Sequence, residues 1–118
     1  MSDTSRIQKL ELLLQEIIAN AIRDEIDIDI DVFMTVSRVA ISQTMEHATA
    51  WISLLPKDKQ DLALRRLQHN IGKIQSYVNS HVKTRKVPKI MLKLDTAQEF
   101  AEKIQKLIDE IPDLDKES

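Results

Sequence analysis

The sequence contains no cysteine and a single glycine, and aromatic residues make up only 3% of its 118 positions. Without cysteine, the chain forms neither a disulfide framework nor a zinc–cysteine site. One glycine, Gly72, cannot build a glycine-rich phosphate-binding loop. So few aromatic side chains argue against base stacking as the main mode of nucleic-acid recognition. We assign the lone tryptophan, Trp51, to the core or the surface of a sheet rather than to a stacking platform.

Long apolar runs are also missing, and none approaches the roughly 18 residues of a membrane span. The N-terminus lacks the basic and continuous apolar regions of a signal peptide, and its first amphipathic run carries Asp3 and Glu11. We therefore expect a cytoplasmic protein without a membrane partner. The length suits one domain with its own core. We predict a short tail at residues 1–5, the domain at 6–111 and an acidic tail at 112–118.

No catalytic constellation is visible, because the serines and histidines do not fall in a nucleophile arrangement and the three histidines lack metal-ligand spacing. The alternating run at residues 26–31 (IDIDID) resembles the first half of a calcium loop. However, Val32 stands where that turn needs glycine, and Arg38 where the bidentate glutamate belongs. An extended segment whose acidic face protects a sheet edge is the simpler interpretation. We predict a protein that is not an enzyme and uses no cofactor, metal ion or small-molecule substrate.

The net charge of −2 conceals an uneven distribution. Residues 1–56 hold four basic and nine acidic side chains, residues 57–93 hold ten and two, and residues 94–118 hold three and eight. A basic middle between acidic flanks is typical of a local polyanion-binding surface, although a solvated helix face with clustered charges gives the same pattern. The residues that we assign to RNA binding are Arg65, Arg66, His69, Asn70, Gly72, Lys73, Lys83, Arg85, Lys86 and Lys89.

Hydrophobic periodicity predicts the order helix, strand, strand, interrupted helix, strand, helix. The first five elements are predicted at 6–25, 32–42, 47–55, 59–82 and 89–94. A final helix is predicted to open with a Thr96–Glu99 capping box and to stop at Pro112. Ser5 and Asp58 are the predicted N-caps of the first and second helices. The short connection between the first two strands predicts that they pair antiparallel.

Gly72 lies in the middle of the interrupted helix, where a glycine costs about 0.5–1 kcal/mol relative to alanine. The chain avoids glycine even in its turns, so this placement predicts either a helix break or a close approach by another backbone. Tight packing of the helix on the sheet is the alternative. On the first interpretation, Gly72→Ala is expected to straighten the helix or misplace the basic groups around it.

Several short motifs, taken in order, resemble those of the bacterial ribosome-binding factor A family over roughly residues 6–111. They are a Thr-Val strand start, an Ala-led strand ending in serine, a Leu-Gln segment leading to the interruption at Gly72, an Arg-x-Val-Pro approach to the last strand and an Asp-Thr helix opening. These motifs occupy residues 34–42, 48–53, 67–72, 85–88 and 95–96. The chain departs from the family at Asn70, where alanine is favoured, at residues 44–45, where Asp-Leu is usual, and in the acidic run.

The resemblance implies an α+β fold of the type II KH-like class, in the order α-β-β-α(kinked)-β-α, with a three-stranded mixed sheet packed against helices. In that class of factor, the helix break replaces the usual KH loop. The resemblance also implies a ribosome assembly factor that binds the small ribosomal subunit and its rRNA, assists late rRNA maturation without catalysis and matters most in the cold. We expect a monomer. A protein–protein adaptor with an incidental basic patch is the alternative function.

Overall fold

The computed structural model describes residues 3–28 and 31–95 of the chain. The elements are α1 (Asp3–Glu25), β1 (Phe33–Ile41), β2 (His47–Leu55), α2 (Gln60–His69), α3 (Ile71–His81) and β3 (Lys89–Leu94), with a 3₁₀ turn at Lys57–Lys59 before α2. The predicted order is confirmed as far as β3, and the predicted limits of β2 and β3 match. The predicted final helix, with its Thr96–Glu99 capping box, lies outside the described residues.

The three strands form one mixed sheet in the order β1-β2-β3. β1 pairs antiparallel with β2, as the short turn between them predicts, whereas β2 pairs parallel with β3 through the α2–α3 crossover. Alternate side chains of β2 are buried, namely Ala48, Ala50, Ile52 and Leu54. The alternation of the sequence predicts that these four residues share one face of the strand, and their burial confirms that prediction.

All three helices lie on that inner face. α1 packs against β1 and α3, α2 packs against β2 and β3, and α3 packs against β3. The core between the two layers contains Leu14, Ile18 and Ile22 of α1, Leu67 of α2, Ile74 and Val78 of α3, and Ile90 of β3, all buried. The opposite face of the sheet has no helix packed on it among the described elements. Because the helices cover only one face, the polar side chains of the strands lie on the other face, away from the core.

A β-bulge in β1 changes which residues face the core. The register with β2 shifts between Val36 and Arg38, so one extra residue, Ser37, is accommodated. Val36 and Val39 are consequently both buried although they are three positions apart. Gln15 of α1 donates from Nε2 to the carbonyl oxygen of Val36 at 2.9 Å, which satisfies a backbone group beside the bulge. The bulge turns Ser37 and Arg38 together toward the open face.

The prediction that the acidic run forms an extended sheet edge is wrong for its described part. Residues 26–28 join no strand, and the amide of Ile26 donates to Ile22 O at 3.2 Å as a continuation of α1. Ile26 is buried because its side chain joins the core. The outer edge of β1 is instead protected by α1, where Glu11 Oε2 accepts from the amide of Ile41 at 2.8 Å.

Both predicted N-caps are also wrong. α1 begins at Asp3, so Ser5 lies inside its first turn rather than before it. The 3₁₀ turn delays the start of α2 to Gln60, which leaves Asp58 within the turn. Gln60 Nε2 donates to Leu54 O at 2.8 Å and ties this start to the end of β2.

Candidate nucleic-acid interface

The helix break lies at Asn70, between α2 and α3, where the backbone leaves the helical region at φ −101° and ψ 20°. The amide of Asn70 donates to the carbonyl oxygens of Arg66 and Leu67, at 3.2 and 3.1 Å. Its carbonyl accepts from the amides of Lys73 and Ile74, at 3.0 and 3.3 Å. Its side-chain Nδ2 also donates to Arg66 O at 2.8 Å. Asn70 therefore ends one helix and begins the next, with its side chain adding a bond that alanine lacks.

Gly72 does not form the break, so that prediction is wrong. It lies in the first turn of α3, and its φ is not positive. Apart from its chain neighbours and the backbone of its own helix, no atom lies within 4 Å of the position that a Cβ on Gly72 would take, so tight packing does not require the glycine either. Gly72 is exposed, and because it has no side chain, a binding partner could approach its backbone directly.

Gly72→Ala is consequently expected to raise the free energy of unfolding by about 0.5–1 kcal/mol, because alanine loses less conformational entropy in a helix. Urea denaturation monitored by circular dichroism measures this change. A lower unfolding free energy would show that the fold needs the missing side chain.

The ten residues assigned to RNA binding are exposed, except for Asn70, which is half-buried. They lie on two flanks of the helices rather than on one patch. Gly72 and Lys89 border a shallow groove between α3 and β3, together with Glu46. On the other flank, Arg66 Nη1 donates to Asp27 O at 3.2 Å. Lys73 borders a separate groove beside the end of α1.

The groove between α3 and β3 is held in shape by Gln75. Its Nε2 donates to Pro88 O at 3.1 Å, and its Oε1 accepts from the amide of Ile90 at 2.8 Å. The amide of Lys89 donates to Glu46 O at 2.9 Å. These bonds fix the start of β3 against α3. These backbone bonds, and not only the nearness of the loop in the sequence, therefore determine where Lys89 lies.

The loop between α3 and β3 exposes Lys83, Arg85 and Lys86 together. Thr84 Oγ1 donates to Lys86 O at 3.1 Å, which curls the loop. Lys86 Nζ lies 3.8 Å from Glu46 Oε1 in an exposed ion pair, and such pairs contribute at most about 1 kcal/mol. The loop thus concentrates positive charge at little structural cost.

Sequence reasoning did not assign Tyr77 and His81 to the candidate site. Their rings stack with centroids 4.0 Å apart and planes at 12°, beside Lys73 in the groove next to α1. Tyr77 Oη donates to Asp24 Oδ2 at 3.3 Å. Desolvation and the Asp24 carboxylate raise the pKa of Tyr77 and keep the hydroxyl protonated. The sequence did carry a signal for this pair, because Tyr77 and His81 are four residues apart and side chains at that spacing are neighbours on a helix.

Within residues 3–28 and 31–95, no helix is long and apolar enough to cross a membrane. Over the same residues, no three histidine, aspartate or glutamate side chains gather closely enough to hold a metal ion.

Comparisons with known proteins agree on one family. The family model for ribosome-binding factor A matches residues 6–108. Ribosome-binding factor A of Natranaerobius thermophilus is 34% identical over 104 residues, which cover 87% of this chain and 79% of the relative. The Rubrobacter xylanophilus protein of that name is 30% identical over 111 residues, covering 94% and 90%. For the Bdellovibrio bacteriovorus protein of that name, identity is 31% over 112 residues, covering 94% and 84%.

Solved structures show the same fold. The crystal structure of ribosome-binding factor A from Thermus thermophilus superposes with a TM-score of 0.66 at 19% identity, covering 75% of this chain and 93% of that one. A homology model of the Thermus protein, fitted into a cryo-electron microscopy map of its complex with the 30S subunit, gives 0.63 at 21% identity, covering 75% and 93%. The predicted type II KH-like α+β fold, with its mixed three-stranded sheet, is confirmed.

Proposed function

The chain belongs to the ribosome-binding factor A family, and from this premise we propose that it binds the small ribosomal subunit as an assembly factor. The observation that carries the proposal is the family match over nearly the whole chain. The related Thermus protein, which has the same fold, was fitted into a map of its complex with the 30S subunit. The exposed cations of the loop and of α2 and α3 provide the charge that a phosphate backbone requires.

In this proposal, the protein contacts rRNA and assists its late maturation without catalysing a reaction. It acts as a monomer in the cytoplasm, and its contribution is greatest in the cold. The loop cations and Lys89 attract the phosphate backbone, while Gly72 lets that backbone approach α3 closely. Recognition therefore depends mostly on charge and shape, since phosphate contacts fix position without reading sequence.

Sedimentation of cell extract tests this proposal directly. The protein is expected to comigrate with free small subunits and not with large subunits, because only the small subunit offers the proposed site. Its affinity for purified small subunits is expected to fall steeply as salt rises, since phosphate contacts release counterions. Equal binding to both subunits, or binding to neither, would refute the proposal. An affinity that hardly responds to salt would instead favour a protein–protein adaptor.

A further inference from the structure

The face of the sheet turned away from the helices combines an aromatic ring, hydroxyls and cations. Trp51 occupies its centre on β2, and the register places Arg38 of β1 on one side of it and Lys93 of β3 on the other. Hydroxyl side chains surround the ring on the same face, namely Thr35, Ser37, Thr49 and Ser53. The face also exposes large apolar side chains: Phe33 at 67%, Leu55 at 51% and Met91 at 43%.

Every charged side chain that the described strands present on this face is basic, and the carboxylate of Asp95 directly follows β3. The ionisable side chains there are Arg38, Lys89 and Lys93, with His47 beside Lys89 in the register. No aspartate or glutamate of the described strands faces this side. Both helix flanks differ from it, because each groove beside α3 is bordered by a carboxylate. A polyanion therefore meets less repulsion on the sheet than beside the helices.

The open face is also continuous with the basic loop. Lys89 is the first residue of β3 and directly follows the segment that carries Lys83, Arg85 and Lys86. A strand of nucleic acid that lies along the loop can therefore continue past Lys89 to Lys93 and Arg38 without leaving positive surface. Flat, aromatic-bearing sheet faces suit unpaired bases, which stack on rings while cations hold the backbone.

Arg38 covers the ring of Trp51 in the free protein, with Cζ 4.0 Å from the ring centroid. A cation–π contact at an exposed site is weaker than the stacking of a base on an aromatic ring. A base can thus take the place of the guanidinium, which is then free to pair with a phosphate. The bulge at Ser37 makes this possible because it turns Arg38 toward the open face.

We propose that the open sheet face binds an unpaired RNA segment, with one base stacked on Trp51 and the backbone held by Arg38, Lys89 and Lys93. This inference rests on the proposed function and adds a second RNA-binding surface to it. It also assigns Trp51 a stacking role that its sequence context did not indicate.

Trp51 is the only tryptophan, so its fluorescence reports on this surface alone. An eight-nucleotide oligoadenylate, added at low salt, is expected to quench the Trp51 emission, while the anisotropy of a labelled copy reports binding independently. A duplex of equal length is expected to quench less, because its bases are not free to stack. An oligoadenylate that does not bind, or that binds without quenching, would overturn the proposal.

Variants then test the surface against intact small subunits. Trp51→Leu is expected to lower the affinity about tenfold, the effect of losing one stacked base, and Trp51→Phe is expected to keep most of it. Arg38→Ser should weaken binding, whereas Arg23→Ser, which removes the same charge from the exposed end of α1, should not. Native affinity in both Trp51→Leu and Arg38→Ser would overturn the inference. If the wild-type protein itself fails to bind small subunits, the proposed function fails, whatever the oligoadenylate result.

Discussion

Reversing three charges of the loop, Lys83→Glu with Arg85→Glu and Lys86→Glu, is expected to weaken binding to small subunits about a hundredfold at 0.1 M salt. Each phosphate contact contributes about 0.7–0.9 to the slope of log affinity against log salt. The loss of three contacts should therefore flatten that slope by about 2–3. At 0.1 M salt, that change in slope corresponds to roughly a hundredfold or more in affinity. Binding measured at several salt concentrations gives both quantities.

The same triple variant should fold normally. All three side chains are exposed, and exposed substitutions usually change the free energy of unfolding by less than about 0.5 kcal/mol. The Lys86–Glu46 ion pair, which this variant loses among the described residues, is itself exposed. The matched control is Lys83→Arg with Arg85→Lys and Lys86→Arg, which keeps every charge and should keep the affinity. Unchanged binding in the charge-reversed variant would place the site elsewhere on the protein.

The features that the sequence predicted well depend on burial. Because only one parity of each strand can enter the core, the alternation in β3, as in β2, predicts the inner face, here Ile90, Leu92 and Leu94. The charge distribution also identified the basic loop, because Lys83, Arg85 and Lys86 are neighbours in the sequence and therefore lie together in any fold. The antiparallel pairing of β1 and β2 followed from the short turn that joins them.

The features that the sequence did not predict each depend on a single residue and its tertiary partners. The break falls at Asn70 rather than at Gly72, and its side-chain bond to Arg66 O becomes visible only in the structure. Helical periodicity does not locate a one-residue interruption, because the apolar stripe continues through it with Leu67, Ile74 and Val78 all buried. The basic residues are close in sequence, which predicts one site, but the structure divides them between two flanks of the helices. Neighbouring residues of a helix point in different directions, so closeness in sequence does not place their side chains on one surface.

These differences change the role of Gly72 in the proposed interface. The glycine was expected to shape the surface by breaking a helix, but Asn70 does so. The space around Gly72 is open to the outside, so the expected effect of Gly72→Ala on the fold is stabilising. If RNA approaches α3 closely, the same substitution lowers affinity while it raises stability. A Gly72→Ala variant that is more stable but binds more weakly would show that Gly72 serves contact with RNA and not folding.

Deletion of Ser37 is expected to change the free energy of unfolding by about 1 kcal/mol or less, because it removes only the extra, exposed residue of the bulge and leaves β1 regularly paired with β2. Val36 and Arg38 pair with residues that are neighbours on β2, so without Ser37 the side chains still alternate, with Val36 and Val39 inward and Arg38 outward. Only a variant in which one half of β1 turned over would bring Val36 or Val39 out of the core, where both are now buried. Each buried apolar side chain contributes about 1.5–3 kcal/mol, so a loss of that size would contradict the expected result.

Ser37→Ala is the matched control for the deletion. It keeps the residue count and loses only an exposed hydroxyl contact, in which Ser37 Oγ donates to Ser53 Oγ at 3.4 Å, so its unfolding free energy should change by less than about 0.5 kcal/mol. Chemical denaturation of both variants measures the difference. A deletion variant that is less stable than the alanine variant by about 1.5 kcal/mol or more would mean that one half of β1 turns over when the bulge is lost. A stable deletion variant that has lost its affinity for small subunits would indicate that binding depends on the local shape that the bulge gives to the open face.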